Sequence, residues 1–95
     1  MNITFTRLAN GNTGIFANDK LVGYIEKSIE EQARMIKGTN LRHAQGRKVA
    51  RYDIMIARRH FVNAPLTVIS GFGGRTLAAA KIEAAAKLEG LTLKG

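Results

Sequence analysis

Arginine and lysine are concentrated in the middle third of this 95-residue chain. Residues 32–63 contain eight basic residues and one acidic residue, Asp53, so the segment carries +7 (eight minus one) of the chain's +8. Guanidinium and ammonium groups bind phosphate and carboxylate oxygens, and arginine does so with two parallel hydrogen bonds. A surface that served only solubility would mix acids among these bases. The segment is therefore typical of a surface that binds nucleic acid or an acidic protein.

The candidate binding residues are the basic side chains of this segment and the arginine of a later glycine-rich turn. They are Arg34, Lys37, Arg42, His43, Arg47, Lys48, Arg51, Arg58, Arg59 and Arg75. About eight to ten phosphate contacts would make the affinity fall steeply with salt. Tyr52 and Phe61 lie beside them and could stack on bases, although such aromatics more often pack in the core of a small domain. We expect the loop at residues 39–48 and the pair Arg58 and Arg59 to converge on one partner.

Catalytic chemistry has little support in the sequence. An enzyme needs a nucleophile, a base or a metal held by partner groups, and we find no such set. Two histidines without cysteine are too few for a convincing zinc site. A small ribonuclease built from His43, His60 and Lys48 is a minor alternative, in which the neighbouring arginines would keep His60 neutral. We therefore expect a non-enzymatic protein without cofactor or metal.

Length and composition predict one soluble domain over residues 1–95. The chain is 45% apolar and 23% charged, which is ordinary for a folded domain. It has no apolar run of about 18 residues for a membrane span, and its first residues alternate in polarity where a signal peptide would have an apolar block. We expect a cytoplasmic location.

The first third of the chain has the alternating pattern of short strands. Turn residues at Asn10-Gly11 and Asn18-Asp19 separate the segments, which predicts an antiparallel meander. The predicted strands are residues 2–8, 14–17 and 21–25.

A helix is predicted next. Ser28 and Glu31 have the spacing of a capping box, and apolar residues follow at helical intervals, so a helix is expected over residues 28–37 before Gly38. Residues 39–48 are polar and lack periodicity, which predicts an exposed basic loop.

The last half predicts a hairpin and a second helix. Residues 51–58 alternate as in a strand, although the wider apolar spacing also permits a helix, and residues 66–70 supply a β-branched strand after Pro65. A glycine turn at residues 71–76 leads to a helix over residues 77–89, capped by Thr76. Its turn lacks the lysine of a phosphate-binding loop. Its apolar face is expected to be Leu77, Ile82, Ala84, Ala85 and Leu88. The expected fold is α+β, an antiparallel sheet of about five strands, a meander plus a hairpin, with two helices on one face.

Two resemblances accompany these patterns. Val68, the run Gly73-Gly74-Arg75 and the run Ala84-Ala85-Ala86 resemble the end of a double-stranded RNA-binding domain. This likeness covers under a third of the chain, and that family has a basic pair at the helix start where this chain has Thr76 and Leu77.

The whole chain is similar in size and style to small accessory proteins of phages and mobile elements, including anti-CRISPR proteins. The resemblance implies a non-enzymatic inhibitor of host defence that occupies a CRISPR effector. Many such inhibitors are acidic DNA mimics, whereas a +8 chain would contact guide RNA or an acidic patch of the complex. We therefore expect a small basic protein that binds nucleic acid or a nucleic-acid-containing complex. The alternative is a protein-protein interaction module for an acidic partner.

Overall fold

A computed structural model describes the backbone of residues 1–35, 42–64 and 68–94, and the side chains of residues 1–31, 48–64 and 69–94. Within these ranges the chain forms five strands, one turn of 3-10 helix and one α-helix. They are β1 (Ile3–Arg7), β2 (Thr13–Ala17), β3 (Lys20–Met35), β4 (Arg42–Ala57), the 3-10 turn Arg58–His60, β5 (Val68–Gly74) and α1 (Leu77–Leu88).

The strands form one antiparallel sheet in the order β1-β2-β3-β4-β5. Each strand pairs with its neighbour in sequence, so short reversals can connect them. At the β2–β3 reversal, Asn18 and Asp19 both have positive φ angles, 49° and 66°, which suit the right-handed twist of a tight hairpin. The α+β class and the five-stranded antiparallel sheet are confirmed.

The two central strands extend well beyond the rest of the sheet. β3 and β4 have 16 residues each, whereas β2 reaches only Ile25 of β3 and β5 reaches only Tyr52 of β4. Residues 28–35 and 42–51 therefore pair only with each other, and we call this two-stranded ribbon the arm. Eight residues of β3 give it a length of about 25 Å. The arm accounts for the elongated shape of the molecule, which measures 58 × 28 × 18 Å.

The helix predicted from Ser28 is wrong, because residues 28–35 belong to β3. The predicted loop is wrong over residues 42–48, which belong to β4, and residues 36–41 lie outside the described residues. No turn residue separates Ile25 from Ser28, so β3 runs on into the arm. There Glu31 lies directly opposite Lys48, and such a cross-strand pair of opposite charges stabilises a ribbon by about 0.2–1 kcal/mol.

The sheet is covered on one face by α1 alone, so the expected pair of helices is not found in the described part of the chain. Gly73 lets the helix approach β5 closely, since a Cβ atom there would lie 2.9 Å from Ile54 Cδ1 and 3.0 Å from Ala80 Cβ. Ile82 does not belong to the buried side of α1, because 73% of it is exposed. The core consists of Ile15, Ala17, Val22, Ile25, Ile54, Ile56, Phe61, Ala64, Ala80, Ala84 and Leu88.

The start of α1 agrees with the sequence prediction. Thr76 is the N-cap, and its side-chain oxygen accepts a hydrogen bond from the Ala79 amide at 3.1 Å. The predicted glycine turn is wrong over residues 71–74, which continue β5. Beyond α1, the chain returns beside the end of β4, where Phe61 bridges Leu93. This return closes the core under Phe61.

Substitution of Thr76, the observed cap of α1, and of Ser28, the predicted cap that lies on β3, tests the observed elements. We expect Thr76→Ala to lower the free energy of unfolding by about 1 kcal/mol, because an N-cap hydrogen bond is lost. Ser28→Ala should change it by less than about 0.5 kcal/mol, because Ser28 is exposed on a strand. Urea unfolding of both variants checks this. A larger loss of unfolding free energy from Ser28→Ala would support the predicted capping box instead of the strand.

The position of the core is tested by two isoleucines. Ile54→Ala should cost about 2–5 kcal/mol, since Ile54 is fully buried between the sheet and α1. Ile82→Ala is the matched control and should cost nothing measurable, because Ile82 is exposed on α1. Chemical denaturation measures both, and equal losses would show that α1 packs on another face.

Candidate functional site

The outer half of the arm carries basic residues on both strands. Residues 32–52 include six lysines and arginines and no acid. The backbone register places Gln32 opposite Arg47, Arg34 opposite His43 and Met35 opposite Arg42. The fold therefore brings together five of the predicted binding residues at the backbone level, namely Arg34, Arg42, His43, Arg47 and Lys48. A sixth, Lys37, lies outside the described residues.

The inner half of the arm has a mixed charge. Glu30 lies opposite Val49, and Glu31 lies opposite Lys48. Alternation along β4 puts Lys48 on the same side of the sheet as the buried Ile54, and puts Val49 on the side opposite α1. We call the side opposite α1 the open face. The acids of β3 thus balance the bases near the sheet, and the unbalanced charge lies further out.

Five side chains meet on the open face at the base of the arm, and we call them the arginine cluster: Glu30, Arg51, Asp53, Phe72 and Arg75. Arg75 Nη1 donates to Glu30 Oε2 at 2.7 Å, and Arg51 Nη1 lies 3.7 Å from the same oxygen. Arg51 Nε also donates to both Asp53 oxygens, at 3.0 and 3.1 Å. Both guanidinium carbons lie 5.0 Å from the centroid of the Phe72 ring. The cluster joins β3, β4, β5 and the start of α1.

The arginine cluster is electrically balanced, with two cations and two carboxylates. The hydrogen bond from Arg75 is the main reason that the pKa of Glu30 is lowered; loss of solvent contact opposes it, and the charges of Arg75 and Arg51 lower the pKa further. The Arg51 and Glu30 side chains are 40% and 36% exposed, and such exposed ion pairs add little stability. The structure thus brings Arg51 and Arg75 together, but each already contacts a carboxylate.

Arg58 and Arg59 lie at the opposite end of β4 from the outer arm. Arg58 Nε donates to the Ala64 carbonyl at 2.6 Å, which holds the chain reversal after the 3-10 turn. Ala57 lies nine positions beyond Lys48 along the extended strand, which corresponds to about 30 Å. The expectation that these arginines converge with residues 42–48 is therefore wrong.

A groove of about 340 Å³ opens on the open face near His60. Its apolar wall includes Tyr24 and Met55, which face each other across β3 and β4. Burial lowers the pKa of His60, and the charges of Lys20, Arg59 and Lys94 lower it further. The predicted direction was thus correct, but burial is the main cause. Since the part of β4 from Lys48 to Ala57 separates Lys48 from the turn that holds His60, the two could not act on the same phosphate.

The aromatic side chains differ from the prediction. Phe61 is only 2% exposed, and Tyr52 packs against the core, so neither is a stacking surface. Phe72 is the exposed aromatic of the basic region, at 45%. Sequence reasoning missed it because it placed Phe72 in a glycine turn. Only the pairing of Phe72 with Asp53 shows that it lies beside the arm.

Comparison with protein-family models, with curated proteins and with solved structures finds no match to this chain. In the part of the chain that the structure describes, no three His, Asp or Glu side chains gather as metal ligands do. Among the described helices, none has the length and apolar character of a membrane span. The site must therefore be interpreted from its own chemistry.

The pKa of His60 supplies a test of this end of the sheet. Because the folded-state pKa is depressed, the unfolded state takes up more protons below about pH 6.5, and stability should fall as the pH drops through the folded pKa. We expect the imidazole proton signal to titrate with a midpoint below 6.5. In His60→Gln, stability should depend less on pH between about 6.5 and 5.5, a window above the range in which Glu30 titrates in the folded or the unfolded chain. A midpoint at or above 6.5 would contradict the partly buried position of His60 beside three cations.

Proposed function

We propose that this protein is a non-enzymatic nucleic-acid-binding protein that holds a helical nucleic acid with its arm. The observation that carries the proposal is the outer half of the arm, where basic residues occupy facing strands without an acid between Gln32 and Tyr52. The cations of this half lie on both strands, with neutral residues opposite Arg42 and Arg47. A polyanion can therefore supply the counter-charges that this part of the sequence lacks.

The dimensions of the arm support the same proposal. A two-stranded ribbon fits the major groove of duplex DNA, which is about 12 Å wide. The arm extends about 25 Å, which is several base pairs along a duplex at about 3.4 Å each. A ribbon of this kind places cations along two strands of phosphates at once. Binding of this type depends on charge and shape more than on single base contacts.

The resemblance to phage accessory proteins suggests the first biological target to test. A CRISPR-type ribonucleoprotein contains helical guide RNA, which a protein of charge +8 could contact directly. We propose inhibition of such a complex in the host cytoplasm as the setting. An acidic protein partner is the competing possibility, and it would survive nuclease treatment of a pull-down.

The arm is tested by the double variant Arg47→Gln/Lys48→Gln. We expect it to bind a 20-base-pair DNA or RNA duplex roughly tenfold or more weakly than wild type at about 0.1 M salt. The slope of the logarithm of affinity against the logarithm of salt concentration should become about two units shallower for DNA, because two phosphate contacts are lost. Fluorescence anisotropy over a salt series measures both quantities.

The matched control is Lys20→Gln/Lys94→Gln, which removes the same charge at the far end of the sheet, where both lysines are exposed. It should bind nearly as wild type. Equal weakening by both pairs would show a general charge effect and overturn the arm as the site. Weak, salt-independent binding by wild type would overturn the function itself, and cleavage of the duplex with or without magnesium would favour the nuclease.

A further inference from the structure

We propose that Arg51 and Arg75 form a phosphate-binding site in which the Glu30 carboxylate occupies the place of a nucleic-acid backbone phosphate. This inference rests on the proposed function and deepens it, since it adds a second contact at the base of the arm. Two guanidinium groups from distant parts of the chain converge on one oxygen, Glu30 Oε2. Two cations directed at one point define a position for an anion.

The two arginines are positioned by contacts other than Glu30. Arg51 is held through its Nε by both oxygens of Asp53, which leaves its Nη1 directed towards Glu30. Both guanidinium groups also contact the ring of Phe72 at the same 5.0 Å distance. Arg75 directly precedes Thr76, whose cap fixes the start of α1. The pair should therefore stay in place when the carboxylate of Glu30 leaves.

Replacement of the Glu30 carboxylate by a phosphate should require little free energy. All three side chains are partly exposed, at 36% for Glu30, 40% for Arg51 and 43% for Arg75, and exposed ion pairs are weak. A backbone phosphate carries one negative charge, as a carboxylate does, and arginine can donate two parallel hydrogen bonds to its non-bridging oxygens, so it can take the place of Glu30 without a change in local charge. Since Glu30 belongs to β3 of the arm, a nucleic acid that follows the arm inward reaches this site.

The test is Glu30→Gln, which empties the anion position but keeps the size of the side chain. We expect Glu30→Gln to bind a duplex about three- to tenfold more tightly than wild type, because the phosphate then binds the two arginines without displacing a carboxylate. Glu26→Gln is the matched control, since Glu26 is exposed four residues further in on the same strand and the same face. It makes the same change in net charge and should give a clearly smaller gain. Arg75→Gln should bind more weakly than wild type.

The nature of the ligand is checked by the arginine Nε–Hε signals in an NMR titration. In Glu30→Gln we expect the duplex to shift the signals of Arg51 and Arg75. If inorganic phosphate shifts them but the gain in duplex affinity only equals that of Glu26→Gln, the site takes free phosphate and the inference is overturned. A loss of duplex affinity in Glu30→Gln would likewise overturn it and make Glu30 a structural contact.

These failures differ from failure of the proposed function. If Arg47→Gln/Lys48→Gln weakens binding while Glu30→Gln gains no more than Glu26→Gln, the arm binds nucleic acid but the arginine cluster does not. If wild type binds no duplex, both proposals fail together. Thermal unfolding of each variant shows whether a change in affinity reflects lost structure.

Discussion

The pairing of β3 with β4 is the constraint on which the rest of the structure depends. Over the inner part, this pair is flanked by β2 and β5 and covered on one face by α1, so its residues on that face are buried and its register is fixed. An isolated two-stranded hairpin is marginally stable in water. The arm therefore depends on its continuity with the packed inner pair. The same ladder brings Arg51 diagonally next to Glu30, although 21 positions separate them in sequence.

One-sided packing explains why the face opposite α1 stays accessible. The alanine-rich helix approaches the sheet closely, and Gly23 allows a similar close approach between β3 and the Met55 carbonyl of β4. With a single helix among the described elements, the sheet has a core on one face only. The open face thus retains Phe72 and the apolar groove near Tyr24 and Met55, next to the charged base of the arm.

Short sequence motifs correctly predicted the features that depend only on a few neighbouring residues. The turn at Asn18-Asp19 requires positive φ angles, and the Thr76 cap satisfies an amide of its own helix, so both were predictable from a few residues. Ser28 and Glu31 also matched a local signal, that of a helix start, but both lie on β3. Pairing with β4, a contact across some twenty positions, decided the outcome.

The candidate site was predictable only in part, for the same reason. The concentration of charge in residues 32–63 is a property of composition and needs no structure. The arginine cluster depends on two registers, because β3–β4 pairing sets Glu30 beside Arg51 and β4–β5 pairing sets Phe72 beside Asp53. The predicted convergence of residues 42–48 with Arg58 is wrong because the two groups lie towards opposite ends of the extended strand β4. A concentration of charged residues in the sequence does not show whether the strands will bring those residues together or hold them apart.

The positions of the acidic residues make the distribution of positive charge uneven across the molecule. Residues 32–52 carry +6 of the net +8, so all other residues together carry only +2 (eight minus six). Glu30 and Asp53 neutralise the base of the arm, which leaves the outer arm as the main source of positive potential. A potential concentrated at one end orients a protein during its approach to a polyanion and raises the rate of productive encounters. The acids at the base thus leave the outer arm as the end of the molecule that most strongly attracts a polyanion.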